Sequence, residues 1–177
     1  MRVRYLLCVI ALAMTLQAKA QVGIYGTATG GYFGGVKAPY PYPGNASFWT
    51  AGGTFGLYDD FAHLGPLKLG ADFRGSILNT HDHKLNSGLA GVRFAFKPPV
   101  LPLKPYVQGS FGVGSTNFGA GSNTSSGFQY QVLGGLDFTF FPRLDWRMVE
   151  AGGGSLHVNN SNYPVVTIGT GIVFRIH

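Results

Sequence analysis

Past residue 20 this chain has no cysteine: the only one among its 177 residues is Cys8. No disulfide, thiolate nucleophile or Cys-ligated metal is therefore open to the remainder. Charge is scarce too. Asp, Glu, Lys and Arg make up 11% of the sequence, against about 25% in soluble globular proteins, so a soluble fold would lack the charges to clothe its surface. Long apolar runs are also missing. Beyond the first twenty residues nothing approaches the ~18 consecutive apolar residues of a membrane helix, which excludes a helical membrane protein. A chain that is 45% hydrophobic and has no helical span can still cross a bilayer in one way, as a closed barrel whose strands are all paired.

The opening residues have a different character. Arg2 and Arg4 precede an apolar run from Tyr5 to Leu16, followed by Gln17-Ala18-Lys19-Ala20. This is the order of a secretory signal peptide, with small residues at the last position and two before it. A membrane anchor is excluded by length, because twelve residues of helix rise only about 18 Å against a ~30 Å hydrocarbon core. Residues 1–20 are expected to be a signal peptide cut between Ala20 and Gln21, and residues 21–177 one barrel domain. Cys8 lies too near the start to be a lipoprotein cysteine. Losing Arg2, Arg4 and Lys19 lowers the formal charge from +6 to +3, so the basicity gives no support to a nucleic-acid partner.

What the mature sequence does have is period two. Leu67, Leu69, Ala71, Phe73 and Ile77 alternate with Lys68, Gly70, Asp72, Arg74 and Ser76. The same rhythm runs through 107–113, 128–140 and 166–176, and more weakly through 22–33, 48–58, 85–96 and 144–152. These segments predict an all-β fold: an eight-stranded antiparallel up-and-down transmembrane β-barrel. Turn-rich connections separate them, 59–66 and 97–105 among them. Eight meandering strands return the chain to its starting side, and with the termini in the periplasm the outer loops would be 34–47, 79–84, 115–127 and 153–163.

Periodicity does not by itself say which face is outside. A soluble lipocalin-like barrel would turn its apolar face inward and need an outer face rich in Lys and Glu, whereas the polar parity here is mostly Gly, Ser, Thr, Gln and Asn. Small inward residues suit an eight-stranded barrel, whose interior is just filled by side chains. The charged members of that inward set are Lys68, Asp72, Arg74, Arg93, Asp137, Asp145, Arg147 and Arg175, expected to pair across the lumen and close it. Aromatics at strand ends (Tyr32, Phe33, Phe48, Trp49, Tyr58, Phe96, Tyr106, Phe128, Phe140, Phe141, Trp146, Tyr163 and Phe174) are expected to form interface girdles. Strict alternation from Leu144 through Trp146 and Met148 puts Glu150 on the lipid side, unless a bulge or the Gly152-Gly153-Gly154 run shifts the register.

The leader, the eight alternating segments and the run Pro105-Tyr106-Val107-Gln108-Gly109-Ser110-Phe111-Gly112-Val113-Gly114 together resemble the OmpA/OmpX-like outer-membrane β-barrel families. The resemblance implies a bacterial outer-membrane protein in contact with outer-membrane lipid and lipopolysaccharide, and delivered by the barrel-assembly machinery. Members of such families end on an aromatic residue read by that machinery. Here Phe174 stands three residues before His177.

Chemistry-bearing constellations are few. Ser155, His157, Asn159 and Ser161, with Glu150 upstream, hold the residue types of a Ser/His/acid hydrolase, but their spacing matches no deacylase motif and an exposed polar turn is the better reading. His81-Asp82-His83 offers only two imidazoles on one face, too few for a metal site. Gly26 to Gly35 lacks the strand-to-helix context and the Lys-Ser/Thr of a phosphate loop. No catalytic residue, metal or cofactor is expected. The function expected is a non-enzymatic outer-membrane barrel serving envelope integrity or a surface ligand of unknown identity. A lipid A-modifying barrel enzyme and a soluble ligand-binding barrel are the alternatives.

Overall fold

A computed structural model describes residues 21–37, 45–80, 83–117 and 124–176. The expected signal peptide, residues 1–20 with its cleavage residue Ala20, the pair His81-Asp82 and the terminal His177 lie outside the described residues. The eight strands are β1 (Gln21–Lys37), β2 (Asn45–Leu64), β3 (Leu67–Asn79), β4 (Lys84–Phe96), β5 (Leu103–Asn117), β6 (Ser125–Phe141), β7 (Leu144–Val158) and β8 (Ser161–Ile176). Each is antiparallel to its neighbour in sequence, and β8 pairs back onto β1 from Val22↔Ile176 to Phe33↔Val165, closing the barrel. Closure leaves no sheet edge, as a membrane wall requires.

Three hairpins show how local sequence sets this topology. Gly65, at φ +61°, precedes Pro66 between β2 and β3, the glycine-first pattern of a type II′ turn. Pro142 precedes Arg143, at φ +71°, between β6 and β7, as in a type II turn. Asn159 and Asn160, at φ +48° and +63°, join β7 to β8, and two successive positive φ values define type I′. Asparagine tolerates this conformation and alanine does not. Changing both residues to Ala is expected to cost about 1–3 kcal/mol, whereas Asn160→Gly is expected to be neutral or stabilising; urea titration of the folded protein in detergent micelles reads both.

The strands run longer than the alternation alone indicated. The expected 153–163 loop shrinks to the Asn159-Asn160 turn, the 59–66 connection to Gly65-Pro66, and the 115–127 loop loses residues at both ends to β5 and β6. Glycine- and serine-rich sequence signals a loop only where nothing pairs with it. Here Gly152, Gly153 and Gly154 pair with both β6 and β8. Strands of 13 to 20 residues exceed the 9–11 needed to span a bilayer, so the barrel rim projects into water.

Side-chain polarity marks where that happens. Along most of the wall the outward residues are apolar and exposed: Phe55, Phe73, Phe111, Val132, Ile168 and Ile172 among them. At the end carrying the β3–β4 and β7–β8 connections the pattern inverts. Phe33, Leu78, Leu85, Leu156, Val158 and Val165 form an apolar cluster inside, while Asn79, Lys84, Asn159, Ser161 and Asn162 are exposed outside. An apolar exterior belongs in hydrocarbon, and an apolar interior under a polar exterior belongs in water. The inversion level is therefore the membrane surface. Strand parity persists across it while residue type switches, so alternation along the sequence does not mark its level.

Five aromatic placements are corrected by the same inversion and by inward parity. Phe33 is 0% exposed at the centre of the rim cluster, and Tyr58 and Tyr106 point into the lumen. Phe48 and Tyr163 pack against the same cluster. The girdle consists of outward residues such as Trp49, Phe96, Phe128, Phe140, Phe141, Trp146 and Phe174. Glu150 is also corrected. Between Arg147 and Glu150 the β7–β8 register shifts, with Arg147↔Gly171 followed by Glu150↔Gly169, so Met148 and Val149 together oppose Thr170. Both point outward at about 40% exposure and Glu150 turns inward at 7%. This is a β-bulge, in which one extra residue resets the faces.

Candidate functional site: a charged plug in the lumen

Inward parity delivers the charged side chains of seven strands to one column along the barrel axis. At the terminal end, Asp145 accepts from Lys104 Nζ at 2.6 Å, Arg175 Nη2 at 3.0 Å and Thr139 Oγ1 at 2.6 Å. Lys68 donates to Gln21 and lies 3.8 Å from Asp60. One level up, Asp137 is held by Arg93 Nη2 and Arg147 Nε, both at 2.9 Å. Arg147 Nη1 reaches on to Glu150 at 2.9 Å, and Arg74 Nη1 meets the other Glu150 oxygen at 2.9 Å. Arg74 Nε then bonds Asp72 at 3.1 Å. Asp72 accepts from Gln108 Nε2 at 2.6 Å and from Tyr25 Oη at 3.0 Å; Tyr106 Oη donates to Glu150.

The eight charged residues read from the sequence all stand in this column. It also contains Asp60, Lys104 and Glu150, which sequence reasoning missed because Asp60 and Lys104 fell in presumed loops and Glu150 across a bulge. Burial is near complete: Asp137 and Asp145 are 0% exposed and Arg147 1%. Pairs so buried add little net stability over apolar substitutes, but a partner left alone there is very costly. The column therefore occludes the lumen. Three tyrosines complete it. Arg93 lies over the rings of Tyr58 and Tyr106, 3.9 and 4.3 Å from their centroids. Arg147 lies over those of Tyr25 and Tyr106, at 4.2 and 4.8 Å. These cation–π contacts supply attraction where carboxylates run out.

Each tyrosine also rests on a glycine directly across the ladder. Tyr58 pairs with Gly23, Tyr25 with Gly56 and Tyr106 with Gly135. A Cβ on any of these glycines would come 2.4 Å from a carbon of the facing ring. The absent side chain is what lets the ring lie flat along the wall and leaves the centre to the guanidinium groups. Above this level, Thr27, Thr29, Thr54 and Ser76 form a hydroxyl chain with links of 3.1, 3.0 and 2.8 Å, and Gln131 donates to Thr167.

The hydrolase constellation is dispersed. Ser155 is turned inward and donates to the Tyr163 carbonyl at 3.2 Å. His157 is outside, with Nδ1 2.6 Å from Asn162 Oδ1. Glu150 is engaged in the charged column. Asn159 and Ser161 belong to the hairpin and the strand after it. His83 stacks on Phe48 at 3.9 Å; its expected companions lie outside the described residues. Among the described residues no group of three or more metal-ligating side chains occurs.

No protein-family model matches this chain, and no curated protein matches it in sequence. Solved structures do match in shape. Neisserial surface protein A shares 15% identity and a TM-score of 0.56, over 89% of this chain and 97% of that one. Ail, the attachment invasion locus protein of Yersinia pestis, solved in complex with the heparin analogue sucrose octasulfate, shares 15% identity and a TM-score of 0.53, over 89% and 99%. The fold is that of a small outer-membrane β-barrel. At such low identity the likeness is one of architecture. The outer-membrane barrel seen here shares the full span of both relatives, so its strand count and closure are those of the type. The apolar belt and charged interior are opposite to a lipocalin-like barrel, which removes the soluble alternative.

Proposed function

We propose that this protein is a non-enzymatic component of the bacterial outer membrane, serving envelope integrity or surface interaction through the loops after β1, β3 and β5. The observation that carries the reading is the lumen: its charged groups are paired with one another, and Ser155, His157 and Glu150 of the hydrolase-like constellation each bond elsewhere. A rigid, plugged wall suits display better than transport or catalysis. Outer-membrane lipid and lipopolysaccharide are its surroundings in this reading, and the barrel-assembly machinery its partner during biogenesis.

Fractionation of an expressing bacterium, with gel mobility before and after boiling, is expected to find a heat-shifted band in the outer membrane. Incubation with lipid A is expected to leave its acyl chains unchanged. Lipid A product that disappears in the His157→Ala variant would establish the enzyme instead, and an unshifted soluble protein would remove the membrane reading.

A further inference from the structure

The belt is not uniformly convex. Over β3, β4 and β5 it carries a groove of about 830 Å³, within the size range of small-molecule sites. Its floor is made by small outward residues, Gly75, Gly88 and Ala90, and its sides by Phe55 and Phe73 on one flank and Phe111 on the other. A second hollow of about 490 Å³ shares Phe55, Gly75, Gly88 and Val113 with the first and continues it toward the rim, where Asn86 and Ser115 join the lining. The two together form a channel that is apolar below and polar above. Beyond its polar end stands Lys84, exposed and cross-paired with Asn79 and Asn117. The change from apolar to polar occurs where the wall inverts its polarity, at the membrane surface.

We propose that this groove holds one acyl chain of an outer-leaflet amphiphile with an anionic headgroup, the headgroup polar atoms at Asn86 and Ser115 and its charge at Lys84. This rests on the membrane reading above. Apolar contact alone would not select a lipid, since the surrounding lipid tails are equally apolar. Selection comes from three features that coincide: a concave floor, which touches a chain on more sides than a convex wall does; hydrogen-bonding groups at headgroup depth; and a cation beyond them. The Asn86 side-chain oxygen has no hydrogen-bond partner in the folded chain, and turning toward a headgroup donor would give it one. A second barrel would meet the cation and amides with no matching anion: outward side chains around the groove are apolar, and an isologous contact would place Lys84 against the partner's like surface.

The glycines make the test clean. Around a Cβ at Gly88 there is nothing within 4 Å, and at Gly75 only the Ser87 carbonyl at 3.9 Å, so Gly88→Leu fills the groove without disturbing the wall. Gly109, outward on β5 but outside the groove lining, is equally open, and Gly109→Leu is the matched control. Native mass spectrometry of full-length protein, extracted in mild detergent and titrated with lipid A, should show a 1:1 adduct. Gly88→Leu should reduce its population about tenfold, Lys84→Gln severalfold, and Gly109→Leu not at all, with heat-shifted mobility retained in every variant. Equal adducts in all four proteins, or a dimer that only Gly88→Leu abolishes, would overturn the proposal while leaving the barrel intact. Loss of the heat shift in the unmodified protein would instead overturn the membrane reading beneath it.

Discussion

Arg147→Met should destabilise the folded barrel by about 3–5 kcal/mol, the range for removing one partner of a buried ion pair. Arg147 is 1% exposed and serves two carboxylates, Asp137 through Nε and Glu150 through Nη1, both at 2.9 Å. Methionine approximates the aliphatic stem, so little of the loss is cavity. Most of it is Asp137, which keeps only Arg93, and Glu150, which keeps Arg74 and Tyr106. Two rings also lose one of their two cations, Tyr25 keeping Arg74 and Tyr106 keeping Arg93. The double variant Arg147→Met/Asp137→Leu removes the stranded charge together with its partner. It should therefore be more stable than the sum of the two single variants implies, with a coupling of about 1–3 kcal/mol. Urea unfolding in micelles, followed by the folded band on unboiled gels, measures all three. A single-variant loss below about 1 kcal/mol would mean that water reaches the column and that the lumen is not a dry plug.

How much of this column was legible follows from what each residue depends on. Asp72 and Arg74 need only strand parity, and β3 keeps its alternation without interruption from Leu67 to Asn79. Arg175 and Asp137 are found the same way. Glu150 depends on a bulge, and a bulge is a property of a strand pair: Met148 and Val149 look unremarkable until β8 skips past both and β6 past Met148. Asp60 was lost because β2 continues through Asp59-Asp60, a pair that reads as a turn, into a hairpin that ends only at Gly65-Pro66. Lys104 was lost beside the prolines before β5. The inward tyrosines illustrate a further limit. Aromatic type does not separate Tyr58 and Tyr106, which face the lumen, from Phe96 and Phe128, which face the membrane; strand parity does, since Tyr106 shares its face with Gln108 and Ser110. What parity does not show is the glycine opposite that makes room for each inward ring, and that requires the register.

Register also underlies the second large effect. Gly56→Val should cost about 3 kcal/mol, at the upper end for overpacking a tight interior, and should slow or prevent acquisition of the heat-shifted form. A Cβ at Gly56 would sit 2.4 Å from the Tyr25 ring and 2.6 Å from the Phe73 carbonyl oxygen. The ring could swing away, but the carbonyl belongs to the β2–β3 ladder and cannot. If Tyr25 swings, its hydroxyl leaves Asp72 and its face leaves Arg147, so the damage spreads into the column. Tyr25→Leu in the Gly56→Val background separates the two causes. Should the leucine restore most of the stability, the ring contact dominates and the tyrosine–glycine pairs act chiefly to seat the plug. Should it restore little, the clash with the Phe73 carbonyl dominates, and the glycine is required by the curvature of the wall itself. Gly56→Val with undiminished stability would contradict both, because it would place β2 farther from β3 than the ladder from Ala51↔Asn79 to Leu64↔Leu67 allows.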